Sequence, residues 1–125
     1  VMNSACSGSS HFIATGLLTI AEGANKTDAS QVFRNLLLSK KARAEAIPEL
    51  EVLADDVSAA HGAASAPVDP NQMHYLMSRG LSPDESQALI VGGFLLNAFS
   101  NLTNKYLTEE MQTRLTVHLE CELKG

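Results

Sequence analysis

Two hydrophobic periods meet near Pro67, and no single element type accommodates both. From Ser10 to His61 apolar residues recur in short runs or at alternate positions: Phe12 and Ala14, Leu17 to Ile20, Val32, Leu36 and Leu38, Leu50, Val52 and Ala54, then Val57 and Ala59. A period of two places such residues on one face of a strand. Polar or glycine-containing breaks at Glu22 to Asp28, Ser39 to Lys41 and Asp55-Asp56 divide the region, leaving strands of roughly four to six residues joined by tight turns. No intervening stretch is long enough for a helical crossover. The spacing suits the coils of a solenoid, each stacking its inward residues on the next, although so weak a repeat, taken alone, favours a small sandwich.

Beyond Pro67 the signals are helical. Asp69-Pro70-Asn71-Gln72 offers an N-cap carboxylate, a proline at the first helical position and a Gln three residues after the cap, as in a capping box. Ser82-Pro83-Asp84-Glu85 repeats the device, and Arg79-Gly80 ends the first helix. The second helix is expected to run to about Leu102, with Leu89, Ile90, Phe94, Leu95, Ala98, Phe99 and Leu102 as its apolar stripe. Gly92-Gly93 inside it predicts a close contact with another element. A third helix is expected from Thr108, with Glu109 and Glu110 at its positive end. Leu115, Val117, Leu119, Cys121 and Leu123 alternate as a strand would. Yet Met111, Leu115 and Leu119 fall four apart, and Glu110-Arg114, His118-Glu122 and Glu120-Lys124 are helical pairs, so helix is preferred. The expected organisation is a β region over residues 1–66 and a helical segment over 67–125.

The net charge of −5 is spread along the chain, so no basic face for nucleic acid or anionic lipid emerges. Lys40, Lys41 and Arg43 read as a solvated turn. Cys6 and Cys121, the two cysteines, have no CxxC spacing and no paired histidines. No window approaches the roughly 18 apolar residues of a membrane span, and Val1 to Ser10 does not read as a signal peptide. An intracellular, reducing compartment is the expectation. Asp55-Asp56 are adjacent, point to opposite faces if in a strand, and read as a turn rather than as an acid/base pair. His11 and His74 lie near apolar neighbours and His118 on a charged helix, with no spacing that makes a metal pair.

The run Ala54-Asp55-Asp56-Val57-Ser58-Ala59-Ala60-His61-Gly62-Ala63, followed by Tyr75-Leu76-Met77-Ser78-Arg79-Gly80, resembles the paired signatures of the SufB/SufD scaffolds of iron-sulfur cluster assembly. The likeness extends through Asn35-Leu36-Leu37-Leu38-Ser39 and Pro48-Glu49-Leu50-Glu51 upstream and Ala88 to Phe94 downstream, covering about Gly16 to Phe99. It implies a mixed β and α architecture: the last coils of a right-handed parallel β-helix, then a C-terminal α-helical segment. Family members are several times longer, so Val1 would enter mid-solenoid and the chain would be a C-terminal portion. At that truncated side Phe12, Leu18 and Ile20 are expected to be uncovered.

By the same resemblance the protein is not an enzyme. It would be a scaffold subunit pairing with a SufB-type or identical subunit through the β-helix and with a SufC-type ABC ATPase through the helices, with no nucleic acid or membrane partner. No cofactor would be held tightly by this portion, only a transient iron-sulfur cluster or iron in the intact complex. The compartment would be the cytoplasm, or the plastid in a photosynthetic eukaryote. His61 matches the family histidine at the interface between scaffold subunits, implicated in forming or holding the nascent cluster, and a neutral imidazole is a sound iron ligand. It is expected at the end of the last strand, facing outward. SufD-like members carry a cysteine where Ala59 stands, SufB-like members flank the histidine with glutamates where Ala60 and Gly62 stand, and the reactive SufB cysteine would fall near Phe33 to Asn35. These departures point to the SufD-like, supporting half of the pair. Tyr75, Met77, Arg79 and Leu81 are expected near the ATPase-binding surface. Two rivals remain: a metal-dependent hydrolase or isomerase on a β-helix or cupin-like fold with His61 and an acid as ligands, and a purely structural ATPase-binding adaptor.

Overall fold

The computed structural model describes the backbone of residues 1–123 and side chains through Glu120. Five strands, β1 (Met2–Cys6), β2 (His11–Ile20), β3 (Asp28–Leu37), β4 (Arg43–Val52) and β5 (Ser58–Pro67), precede three helices, α1 (Pro70–Ser78), α2 (Pro83–Leu96) and α3 (Lys105–Leu123). The chain divides after Ala66 into two compact units.

In the β unit successive strands alternate between two sheets, one ordered β1-β3-β5 and the other β2-β4. Both registered pairs are parallel, Met2 lying opposite Phe33 and His11 opposite Arg43. The third pairing follows from two bonds. Ser58 N–H donates to the Thr27 carbonyl at 2.8 Å, which in a parallel ladder sets Ser58 opposite Asp28. Asn35 Nδ2 donates to Ser65 Oγ at 3.1 Å, the same offset further along. Beta-carbons alternate across each strand, so columns of side chains run through the unit: Ala14 over Ala46, Gly16 over Pro48, Leu18 over Leu50. Phe33, 1 % exposed, with Ala14 and Ile20 forms the buried centre. The two sheets meet closely at Gly16, because a Cβ there would collide with Gln31 Nε2 and lie 2.8 Å from Phe33 Cζ.

A polar column crosses this apolar stack. Ser4 Oγ donates to Asn35 Oδ1 at 2.6 Å, and Asn35 passes a bond on to Ser65. Asn35 is 4 % exposed, and a buried amide of this kind persists because both its ends are paired.

Four of the five strands span ten residues rather than four to six. Small residues such as Ala44, Ala46 and Ala63 continue the strands without adding hydrophobicity, so an apolar pattern underestimates their length. Leu53, Ala54 and Val57 fall outside the strands. Ile20 is buried and Phe12 and Leu18 are half-buried rather than uncovered, since the opposite sheet already packs on them.

In the helical unit, the Asp69 carboxylate accepts the Asn71 N–H at 2.8 Å, with Pro70 in the first turn. The expected reciprocal box with Gln72 is replaced by this single short-range bond, which the aspartate closes two residues on. Gly80, at φ +99°, ends α1: its N–H donates to the Met77 carbonyl and that of Leu81 to the Leu76 carbonyl, the paired bonds of a Schellman motif. At α2 the box is complete, Ser82 N–H donating to Glu85 Oε2 at 2.8 Å and Glu85 N–H to Ser82 Oγ at 3.2 Å. The Ser82 donors hold the Glu85 carboxyl below the usual carboxylate range. Ser82→Ala is therefore expected to destabilise the helical unit by about 1 kcal/mol, measurable by urea titration. Because the folded-state pKa is depressed, Glu85's contribution is present above its unfolded-state pKa and lost as pH falls through the folded value. The mutant's deficit should shrink in acid.

α2 ends at Leu96 and passes into a 3-10 turn, Asn97–Phe99, instead of reaching Leu102. The Asn and Ser residues there compete for backbone bonds. α3 begins at Lys105 rather than Thr108, because Asn104 supplies the cap, its Oδ1 accepting the Leu107 N–H at 3.3 Å. Helix prevails over strand from Met111 onward, supported by the Glu110–Arg114 pair at 2.7 Å. The expected pairs His118-Glu122 and Glu120-Lys124, and the Cys121 side chain, lie outside the described side chains. A Cβ at Gly92 would touch Leu119 Cδ1 at an ordinary 3.6 Å and one at Gly93 would meet open space, so α2 faces a side chain of α3, not its backbone. Among the described residues no helix is long and apolar enough to cross a membrane.

Candidate functional site

His61 is the fourth residue of β5, not its end. The run of small residues Ala63-Ala64-Ser65-Ala66 continues the strand alongside β3. β5 is the outer strand of its sheet, and His61 is exposed.

The register from Ser58 places Gln31 opposite His61, Phe33 opposite Ala63 and Asn35 opposite Ser65. On β3, Gln31 and Phe33 fill the space against Gly16 of β2. On β4 and β5 the corresponding column has Pro48 in place of Gly16 and Ala63 in place of Phe33, and Ala63 is exposed. The loss of a phenyl ring leaves room beside the imidazole. Gln31 escapes sequence reasoning because a Gln in a strand carries no signal until the offset between strands is known. Its Oε1 is buried without a hydrogen-bond partner.

The other histidines stand apart. His11 Nε2 lies 2.7 Å from Glu45 Oε1 on the β2-β4 sheet, a polar partner rather than the apolar neighbours expected, because parallel strands bring Arg43 and Glu45 alongside it. His74 and His118 are exposed on α1 and α3. Among the described residues no group of three or more His, Cys, Asp or Glu side chains could hold a metal ion. His61 is thus the one imidazole on β5, with Ala59, Ala60 and Gly62 adding no donor side chain. Cys6 is buried.

Of the helical candidates, Tyr75 is 56 % exposed and the Arg79 guanidinium sits 4.9 Å from its ring centroid, a cation–π contact across one turn. Met77 is exposed too, but two residues along a helix turn a side chain about 200°, so it does not join the Tyr75–Arg79 face. Leu81 is half-buried, in the turn after α1. A shallow groove between α1 and α2 is lined by Asn71, Gln72, Tyr75, Leu76 and Ile90.

Residues 1–94 match the family described as SUF system FeS cluster assembly, SufBD core domain. The chain is 39 % identical over 112 residues to the iron-sulfur cluster assembly protein SufD of Bacillus subtilis (strain 168), covering 90 % of this chain and 25 % of that protein. It is 35 % identical over 100 residues to SufD of Escherichia coli (strain K12), covering 80 % and 24 %. An iron-sulfur cluster assembly SufBD family protein of Mycobacterium leprae (strain TN) is 34 % identical over 114 residues, covering 90 % and 28 %. The chain therefore spans about a quarter of the length of these relatives. A SufBD core over three quarters of the sequence, with SufD proteins among its relatives, makes this chain a SufD-like member of the SufB/SufD family of iron-sulfur cluster assembly proteins.

Proposed function

We propose that this chain is the C-terminal portion of a SufD-type scaffold subunit, which supports cluster formation beside a SufB-type subunit and recruits a SufC-type ATPase, acting in the cytoplasm and without catalysis of its own. The two alternating parallel ladders are the last coils of a right-handed β-helix that earlier coils extend on the β1 side. The observation that carries the reading is the end of that stack: an outer strand, β5, presenting an exposed histidine in a column otherwise reduced to alanine and serine. Iron or the nascent cluster is cargo here. His61 contributes one nitrogen ligand, and the partner subunit contributes the rest. Small neighbours at Ala59, Ala63 and Ser65 let that partner approach.

The helices take the ATPase. The stacked Tyr75–Arg79 pair, with Leu81 in the rigid turn beyond Gly80, gives a preformed aromatic and cationic contact of the kind that concentrates binding energy. In a pull-down of the full-length protein with its ATPase, Arg79→Glu combined with Leu81→Asp should weaken binding by about tenfold or more. Undiminished capture by a folded double mutant would move the ATPase contact elsewhere. Loss of ATPase capture with normal cluster output would instead leave the ATPase outside the scaffold's task.

A further inference from the structure

We propose that Gln31 is a positioning residue for His61, its carboxamide oxygen accepting one ring N–H so that the other ring nitrogen is presented as the ligand. This rests on the reading of His61 as an iron ligand. Three observations meet at this point. Gln31 and His61 are opposite one another on adjacent strands β3 and β5, where strands are about 4.8 Å apart and in-register side chains are neighbours. Gln31 Oε1 is buried and unpaired, and a buried acceptor left without a donor is costly unless something occupies it. Its amide cannot swing away freely, because Gln31 Nε2 is packed against the backbone of Gly16.

The imidazole of the residue opposite is the donor the register offers, and a change of His61 rotamer brings its N–H to the oxygen that stands unpaired here. A neutral imidazole has one N–H and one lone pair, and the partner taken by the N–H decides which nitrogen is left for a metal. A ligating histidine whose second nitrogen is held by a carbonyl is oriented and made more basic. Gly16 thus acts at one remove: by lacking a Cβ it seats Gln31, and Gln31 aims His61.

The test uses full-length protein with selectively 15N-labelled histidine, free of metal, and reads the two ring-nitrogen shifts of His61. One dominant neutral tautomer is expected in the wild type. Gln31→Met, of similar size without an acceptor, should return the ring to the mixture seen for free imidazole, and Gln31→Glu, which keeps an acceptor oxygen, should retain the single tautomer. Anaerobic titration with Fe(II) alone should then show affinity weakened about tenfold by Gln31→Met and lost in His61→Ala. An equal tautomer mixture in the wild type, or ring signals unmoved by Gln31→Met, would overturn the role of Gln31 even if His61→Ala abolishes binding. Full Fe(II) binding by His61→Ala would overturn the ligand reading beneath it.

Discussion

His61→Ala in the full-length scaffold complex should lower the yield of assembled cluster by about tenfold or more, while ATPase capture and thermal stability stay near wild type. The separation follows from where the residue sits. The ring is exposed on an outer strand, and its removal opens no cavity in the buried centre of Phe33, Ala14 and Ile20. Exposed substitutions of this type change stability by less than about 0.5 kcal/mol. Cluster content is read by absorbance after anaerobic reconstitution and stability by thermal unfolding of the same preparation. A fall in melting temperature that accounts for the lost cluster would reassign His61 to packing. Normal yield with normal stability would remove it from the site.

Phe33→Ala is expected to have the opposite profile, a loss of about 3–5 kcal/mol in folding stability that carries cluster assembly down with it. Phe33 is nearly inaccessible and its ring tip faces Gly16 across the gap between the sheets. The cost depends on how far the flanking strands close on the vacancy. Gly16→Val approaches the same contact from the other strand, forcing Gln31 and Phe33 out of place at a cost of about 1–3 kcal/mol. Denaturant titration of both variants should give additive losses only if the two sites are independent. Their direct contact predicts non-additivity, because the space vacated by Phe33 relieves part of the valine clash.

The change of architecture at Pro67, the start of α2 and the end of α1 are legible from residues because each depends on local chemistry: a serine with a glutamate three residues on, a proline at a first turn, a glycine at positive φ. Pairing of parallel strands is not local. β3 and β5 are separated by all of β4, and nothing in either stretch announces that Gln31 will lie beside His61. The same gap shortened the expected strands, since Ala44, Ala46 and Ala63 carry no apolar signal and derive their place from the neighbouring strand. At the helix ends, Asn104 outcompetes Thr108 as a cap, and the polar sequence around Asn97 and Ser100 stops α2 before its apolar stripe runs out. His61 itself was visible through family likeness. Its setting, an exposed alanine beside it and a buried carboxamide behind it, required the register.

The bonded column of Ser4, Asn35 and Ser65 works as a gauge as well as a brace. Sliding β5 by one residue along β3 would turn Ser65 to the other face and leave a buried amide without its acceptor, so the strand can occupy only one notch of a scale ruled at about 3.3 Å. His61 is read off that same scale, four residues toward the start of the strand. Its position along β3 is thereby set by a hydrogen bond in which it takes no part, and a change at Ser4 or Asn35 would misplace it.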